Sequence, residues 1–154
     1  SIVSRGRTLG VTWFLPEEDV YSKTKQQLFD NMVSLHGGRM AEQLIFGDNQ
    51  LTTGASNDLE RISATARSMI MRYGMGSEKV GPVVFVSENQ FDKPHSEETA
   101  RLIDLEVQQL IEESEKVALA TLKKHKKLLI KISEDLLEKE NITKEEFLAY
   151  FEAQ

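Results

Sequence analysis

The carboxyl-terminal third of this chain repeats small and apolar residues at helical spacing, and this pattern constrains the fold more than any other feature. Beyond Ser96, residues that could form one face of a helix recur at intervals of three and four positions. The members of this stripe are Ile103, Val107, Leu110, Ser114, Val117, Thr121 and His125. Such spacing places one face of a helix against a core, and at roughly 3.6 residues per turn it predicts a helix of about seven turns.

More helical structure is predicted after this stripe. At residues 123–127 the chain is expected either to turn or to continue as one helix. Apolar residues return at helical spacing from Leu129 to Leu136, and Thr143 with Glu146 forms a capping box that opens a last short helix. This part of the chain therefore predicts a helical hairpin or bundle.

The amino-terminal part combines strand patterns with two more helices. Residues 9–15 mix β-branched and aromatic residues before Pro16, and residues 81–86 form a short apolar run. Both patterns are typical of short strands. Apolar residues spaced by three and four predict one helix that begins near Ser22 and another that ends at Tyr73. The expected fold is mostly α-helical, with a small β-sheet of two or three short strands near the amino terminus.

A pair of glycines interrupts the first of these predicted helices. Gly37 and Gly38 each cost a helix about 1 kcal/mol relative to alanine, yet the helical pattern resumes at Ala41. Two outcomes are open from the sequence. Either the helix breaks at the pair, or another part of the protein packs closely against it.

Composition narrows the class of protein. A length of 154 residues fits one compact domain. Nineteen Lys and Arg against 25 Asp and Glu leave a net charge of −6, so no excess of positive charge drives binding to nucleic acid, and no nucleic-acid partner is expected. The chain has no cysteine, so any metal must be bound by His, Asp or Glu. It opens at Ser1 with no signal-peptide pattern, and we expect it to begin inside a longer protein.

Common catalytic signatures are absent from the sequence. It contains no Walker-type phosphate loop, no Gly-x-Ser-x-Gly elbow and no His-Glu-x-x-His. The histidines at positions 36, 95 and 125 are far apart, and none has a second ligand at helical i, i+4 spacing. Each of them is expected to be an ordinary core or surface residue.

Two acidic residues allow more than one interpretation. Asp58 lies at the predicted start of a helix, where a carboxylate gains about 0.3–1 kcal/mol from the helix dipole. The same position also suits an outward-pointing metal ligand, because the small residues before it let backbone approach a site. Glu42 is, in the simpler interpretation, a solvated charge on a helix.

Several ordered segments carry a resemblance to a known family. They are Gly-Gly-Arg-x-Ala-Glu at 37–42, Thr-Gly-Ala-Ser-Asn-Asp at 53–58, and Tyr-Gly-Met-Gly-Ser-Glu-Lys-Val-Gly-Pro at 73–82. Residues 5–16 look like the strand segment of the same family, and residues 96–107 look like its next helix. Over nearly its whole length the chain closely resembles the protease domain of the FtsH-type membrane-bound AAA+ zinc metalloproteases.

The resemblance implies a metal site and a substrate site. In that family a His-Glu-x-x-His helix supplies two zinc ligands and the glutamate that activates water, and an aspartate matched here by Asp58 supplies the third ligand. Glu42 matches a family glutamate near the site, to which we assign the orientation of the ligands. The segment Gly10, Val11, Thr12, Trp13 and Phe14 looks like the edge strand to which an unfolded substrate adds by backbone hydrogen bonds.

The chain also departs from the family pattern. It lacks His-Glu-x-x-His, so the resemblance places no catalytic residue within these residues. Gln43 replaces the second acid usual after Ala-Glu, and the loop at 87–94 is shorter than in many relatives. We therefore expect one zinc-metallopeptidase domain, truncated at its amino end, with a substrate-strand and metal-ligand part at 1–95 and a helical part at 96–154.

The resemblance further implies partners, cofactors and location. The cofactors are zinc and, in a full-length protein, ATP and magnesium. The partners are unfolded polypeptides and a homo- or hetero-hexamer, with attachment to a membrane through a preceding region. The chain would be a soluble domain of a membrane-anchored protein at the bacterial cytoplasmic face or an organelle membrane. A non-proteolytic scaffold or chaperone-type assembly domain is the alternative function, and a helical interaction module is a third, although Asp58 has no chemical role in a scaffold.

Overall fold

The computed structural model describes residues 1–3, 22–86 and 95–152. The described residues form the α-helices α1 (Lys25–Phe46), α2 (Ser56–Met71), α3 (Glu97–Lys124), α4 (Lys126–Lys139) and α5 (Lys144–Glu152). Two short 3-10 turns, Asp48–Gln50 and Thr53–Ala55, connect α1 to α2. The helices group into two compact units, one of residues 22–123 and one that combines residues 1–3 with residues 124–152. Among the described helices, none is long and apolar enough to cross a bilayer.

The first helix begins at a complete capping box. The Gln27 N–H donates to the Thr24 hydroxyl oxygen at 3.2 Å, and the Thr24 N–H donates to the Gln27 side-chain oxygen at 2.9 Å. These bonds satisfy two of the backbone donors that a helix start leaves unpaired. The cap lies two residues after the predicted Ser22. The helix ends at Phe46, and the next residue, Gly47, has a positive φ of 86°, which glycine tolerates best.

The glycine pair does not interrupt α1. The helix runs through Gly37 and Gly38 without a break, and a Cβ built at either position meets no described atom within 4 Å. Both expectations from the sequence are therefore wrong within the described part of the chain. The buried residues that flank the pair, His36 and Met40, show why the helix persists, since they keep one face packed on both sides of it.

One core holds the unit of residues 22–123 together. It joins a methionine of α1, a face of α2, two residues of the segment after α2, and two residues of α3. These residues are Met32, Ile62, Ala66, Met69, Ile70, Val80, Phe85, Ile103 and Val107. The predicted apolar face of α2 is confirmed at Ile62, Ala66 and Met69, whereas Tyr73 lies beyond the helix and is 56% exposed.

The predicted β-sheet is wrong, because the residues that the structure describes contain five helices and no strand. At residues 81–86, where a strand was expected, the Phe85 N–H donates to the Met71 carbonyl at 2.8 Å. Phe85 is buried, but Val83 and Val84 are 49% and 61% exposed. The segment thus inserts one aromatic ring into the core and forms a backbone hydrogen bond with the end of α2. The other predicted strand, at residues 9–15, lies outside the described residues.

The predicted apolar stripe of α3 is confirmed at Ile103, Val107 and Ser114, but Val117 is 44% exposed and Ala118 is buried in its place. The long helix α3 ends at Lys124, and the chain turns at His125 before α4 begins. The Thr143–Glu146 capping box is present at the start of α5, with the Glu146 N–H donating to the Thr143 hydroxyl at 3.2 Å and the Thr143 N–H donating to Glu146 at 2.9 Å. Lys139 of α4 also contacts Glu146 at 2.8 Å. The helices α4 and α5 therefore form a hairpin.

Candidate metal centre

Asp58 lies in the first turn of α2, as the sequence predicts for a helix that begins near Asn57. Its side chain is 41% exposed, and its carboxylate lies 3.7 Å from the Arg61 guanidinium one turn further along the helix. An ion pair this exposed contributes little to stability. The Asp58 carboxylate is therefore accessible and only loosely held, which is compatible with an oxygen donor to a metal ion.

Glu42, near the end of α1, reaches across to the loop that precedes α2. One carboxylate oxygen accepts the Thr52 N–H at 3.0 Å, and the other accepts the Thr52 hydroxyl at 2.9 Å. Both bonds favour the ionised form, and the backbone bond contributes most, so together they hold the pKa of the Glu42 carboxyl below its ordinary value of 4.5. Glu42 is thus a partly exposed charge that is bonded to a specific partner, and its assignment to the orientation of metal ligands stays a prediction.

The loop between Thr52 and α2 is compact. The Thr52 hydroxyl, besides donating to Glu42, accepts the Gly54 N–H at 3.2 Å. The 3-10 turn follows, its Ala55 side chain is buried, and α2 begins at Ser56. Thr52 therefore connects the two helices: it bonds to Glu42 of α1 and to Gly54 of the 3-10 turn that leads into α2.

The three histidines do not join Asp58. His36 is buried in α1, and His125 occupies the turn between α3 and α4. His95 packs edge-on against Phe85, with ring centroids 5.8 Å apart. Within residues 1–3, 22–86 and 95–152, no group of three or more His, Cys, Asp or Glu side chains could hold a metal ion. Of the residues that the sequence predicts for a metal site, the described structure therefore offers Asp58 without further ligands grouped beside it, and its role as a ligand stays a prediction.

The other predicted site residues have mixed outcomes. The substrate-strand segment of residues 10–14 lies outside the described residues, so its role stays a prediction. Thr52 is the residue that sequence reasoning missed. A threonine two positions before a glycine is a common local capping pattern, and Thr52-Thr53-Gly54 contains it. The partner Glu42, ten residues upstream, is a tertiary contact that no local pattern indicates.

Comparison with known proteins identifies the family of this chain. The chain matches the family described as Peptidase family M41 over residues 1–149. It therefore belongs to peptidase family M41, and the resemblance drawn from its motifs is confirmed.

Curated relatives match the chain over nearly its whole length. "ATP-dependent zinc metalloprotease FtsH 1" of Conexibacter woesei is 42% identical over 97% of this chain and 24% of its own length. "ATP-dependent zinc metalloprotease FtsH 1" of Thermoanaerobacter sp. is 41% identical over all of this chain and 26% of its own length. The protein named "ATP-dependent zinc metalloprotease FtsH" of Rhodothermus marinus is 48% identical over 91% of this chain and 20% of its own length. The chain thus spans between 20% and 26% of the length of these three relatives.

Proposed function

We propose that this chain is part of the peptidase portion of an ATP-dependent zinc metalloendopeptidase. The observation that carries the proposal is the match to peptidase family M41 over residues 1–149, together with relatives named as zinc metalloproteases at 41–48% identity. The accessible carboxylate of Asp58 at the start of α2 supplies a donor of the required chemistry.

The proposed role of Asp58 is to hold zinc through its carboxylate, jointly with two histidines from outside these residues. Zinc held there would lower the pKa of a water ligand to about 7 and so supply a nucleophile for peptide hydrolysis at neutral pH. Glu42 has a supporting role in this proposal. Through its two bonds to Thr52 it fixes the loop before α2, and so the direction from which Asp58 approaches the ion.

The proposed substrates are unfolded or membrane-extracted polypeptides. Residues 10–14 would pair with an extended substrate through backbone hydrogen bonds, a mode of recognition that reads chain extension more than side-chain identity. The β-branched and aromatic composition of this segment supports the assignment.

The wider assembly is proposed from the family. Relatives named as ATP-dependent support a preceding ATPase module that uses ATP and magnesium. A hexamer anchored in a membrane, with the peptidase domain on the bacterial cytoplasmic face or within an organelle, is the arrangement in which such a module would deliver unfolded chains to a sequestered site.

The test is Asp58→Ala in the full-length protein. We expect loss of bound zinc, measured by inductively coupled plasma mass spectrometry, and loss of casein hydrolysis, while ATP hydrolysis remains. Asp104→Ala is the matched control, because Asp104 is likewise an exposed helical aspartate paired with an arginine, Arg67, at 3.6 Å. Unchanged zinc content and proteolysis in Asp58→Ala would contradict the proposal and favour the non-proteolytic scaffold.

A further inference from the structure

Thr52 bonds with its backbone and its side chain at once. Its N–H and its hydroxyl donate to the two oxygens of Glu42 at 3.0 and 2.9 Å, and the hydroxyl oxygen accepts the Gly54 N–H at 3.2 Å. Threonine therefore uses both of its donors and an acceptor at this position. Serine is the substitution that can keep all three bonds, and valine, which has the same shape, keeps only the backbone bond.

The Gly54 backbone lies close to the Thr52 hydroxyl. A Cβ built at Gly54 would lie 3.2 Å from the Thr52 hydroxyl oxygen, which is closer than most real Cβ contacts. The absence of a side chain at Gly54 thus lets its N–H reach the hydroxyl. The same hydroxyl thus bonds to Glu42 and is closely approached by the Gly54 backbone.

The start of α2 has no side-chain cap of its own. Ala55 occupies the N-cap position, and no side-chain hydrogen bond is formed there. A helix start leaves four backbone N–H groups without intrahelical partners, and a capping side chain often satisfies one of them. Here the nearest fixed point is the 3-10 turn capped by Thr52, and Asp58 follows that turn by three residues.

We propose that Thr52 is a positioning residue for the Asp58 carboxylate, acting through its hydrogen bonds to Glu42 and Gly54. The inference rests on the proposed metal site and adds to it the residue that sets its geometry. Loss of an outer partner that bonds directly to a metal ligand typically weakens metal binding about 10–100-fold. Because the Asp58 carboxylate pairs with Arg61 and not with Thr52, we expect an effect at the lower end of that range. Thr52 touches no metal in this proposal, and its effect passes entirely through the orientation of the first turn of α2.

The experiment compares zinc dissociation constants of full-length variants by competition with a chromophoric chelator. We expect Thr52→Val to weaken zinc binding by about 10-fold, the lower end of the range for outer partners of a metal ligand, and Thr52→Ser to keep a constant close to that of the unchanged protein. Thr53→Val is the matched control, because Thr53 is the adjacent exposed threonine and its side chain forms no hydrogen bond with another described residue. A second readout is amide hydrogen exchange at residues 52–58, which is expected to accelerate in Thr52→Val alone.

The outcomes separate this inference from the proposed function. If Asp58→Ala loses zinc while Thr52→Val binds it as tightly as the unchanged protein, the positioning role is overturned and the metal site stands. Equal weakening in Thr52→Val and Thr52→Ser also overturns it, since the hydroxyl would then be irrelevant. If Asp58→Ala retains zinc, the metal assignment itself has failed, and with it the basis of this inference.

Discussion

Glu106, near the middle of α3, holds Ser77 in the loop after α2 through both polar groups of that serine. The Ser77 N–H donates to one carboxylate oxygen at 2.8 Å, and the Ser77 hydroxyl donates to the other. A Cβ built on the neighbouring Gly76 would lie 2.9 Å from the Glu106 carboxylate. The unit thus contains the same arrangement twice: a helical glutamate accepts both the N–H and the hydroxyl of a loop residue, at Glu42 with Thr52 and at Glu106 with Ser77.

Removal of the Glu106 carboxylate is expected to destabilise the unit of residues 22–123. Glu106→Ala deletes two charge-assisted hydrogen bonds from a partly exposed position, and we expect the free energy of unfolding to fall by about 1 kcal/mol. Urea denaturation followed by far-UV circular dichroism measures it. Glu113→Ala is the control, because this exposed glutamate of the same helix accepts its bond from Gln109 one turn away. An equal loss in both variants would show that the contact to Ser77 has no particular importance.

Acid is expected to weaken the protein through His36. Burial lowers the pKa of this side chain below 6.5, opposed by the charge of Glu115 and the Ile111 carbonyl and reinforced by Arg39. The Ile111 carbonyl favours the protonated ring less than burial disfavours it, and neither ring nitrogen of His36 forms a hydrogen bond with a described residue. Below pH 6.5 the unfolded chain therefore takes up a proton that the folded chain resists, and stability falls as the pH falls, by at most about 1.4 kcal/mol per pH unit for one group.

The measurement for His36 is the free energy of unfolding between pH 7.5 and pH 5. His36→Leu is expected to show a shallower fall than the unchanged chain, and His125→Gln is expected to keep the full slope. Parallel curves for His36→Leu and the unchanged chain would exclude His36 as the source.

A methyl group at Gly54 is expected to disturb the Thr52 contact. Gly54→Ala places a Cβ 3.2 Å from the Thr52 hydroxyl oxygen, which cannot retreat without lengthening its bond to Glu42. We expect a loss of about 1 kcal/mol in the free energy of unfolding, the lower end of the range for overpacking. In a Thr52→Ala background the same substitution should have little effect, because the crowded hydroxyl is gone. Additive effects in this double-mutant cycle would argue against a steric conflict at this contact.

The hairpin of α4 and α5 contains a short hydrogen bond whose effect on acidity can be tested directly. The Tyr150 hydroxyl donates to the Asp135 carboxylate at 2.5 Å, and this bond, with a further bond from Lys131, lowers the pKa of Asp135 below 3.8. Tyr150→Phe should therefore raise the pKa of Asp135 toward 3.8, as measured by carbon-13 NMR of its side-chain carboxyl.

The same bond has a consequence for acid stability. A depressed carboxyl pKa stabilises the folded state above pH 3.8, and this contribution is lost as the pH falls through the folded value. Tyr150→Phe should therefore lose less stability on acidification than the unchanged chain does. Tyr73→Phe serves as the control, and an unaltered titration of Asp135 in Tyr150→Phe would show that the tyrosine is not the cause.

The helices were predictable because their determinants are local. Periodic apolar residues located α2 and α3, and the Thr143–Glu146 box marked the start of α5 within the sequence itself. The same reasoning failed at residues 81–86, since a run of valines before Phe85 is compatible with a strand or with any buried segment. What decides the structure there is the available partner, the Met71 carbonyl at the end of α2, and periodicity carries no information about it.

The candidate site was predictable only in part for a similar reason. Asp58 was identified because its motif matches a family, and its position at a helix start follows from its neighbours. The bond from Thr52 to Glu42 spans ten residues and depends on how the 3-10 turns fold back along α1. Neither the spacing nor the residue types of these two positions indicate that they meet.

Because α1 continues through Gly37 and Gly38, a strip of its backbone carries no side chains. The whole helix has 22 residues and is about 33 Å long, at 1.5 Å per residue. Each glycine weakens the helix by roughly 0.8–1.0 kcal/mol relative to alanine, and the described structure offers no atom that an added methyl group would strike. Substituting both glycines by alanine should therefore stabilise the helix, and the Gly37→Ala/Gly38→Ala chain should melt at a higher temperature in calorimetry. A double variant that melts lower would mean that the strip is already covered by a neighbour pressed against it.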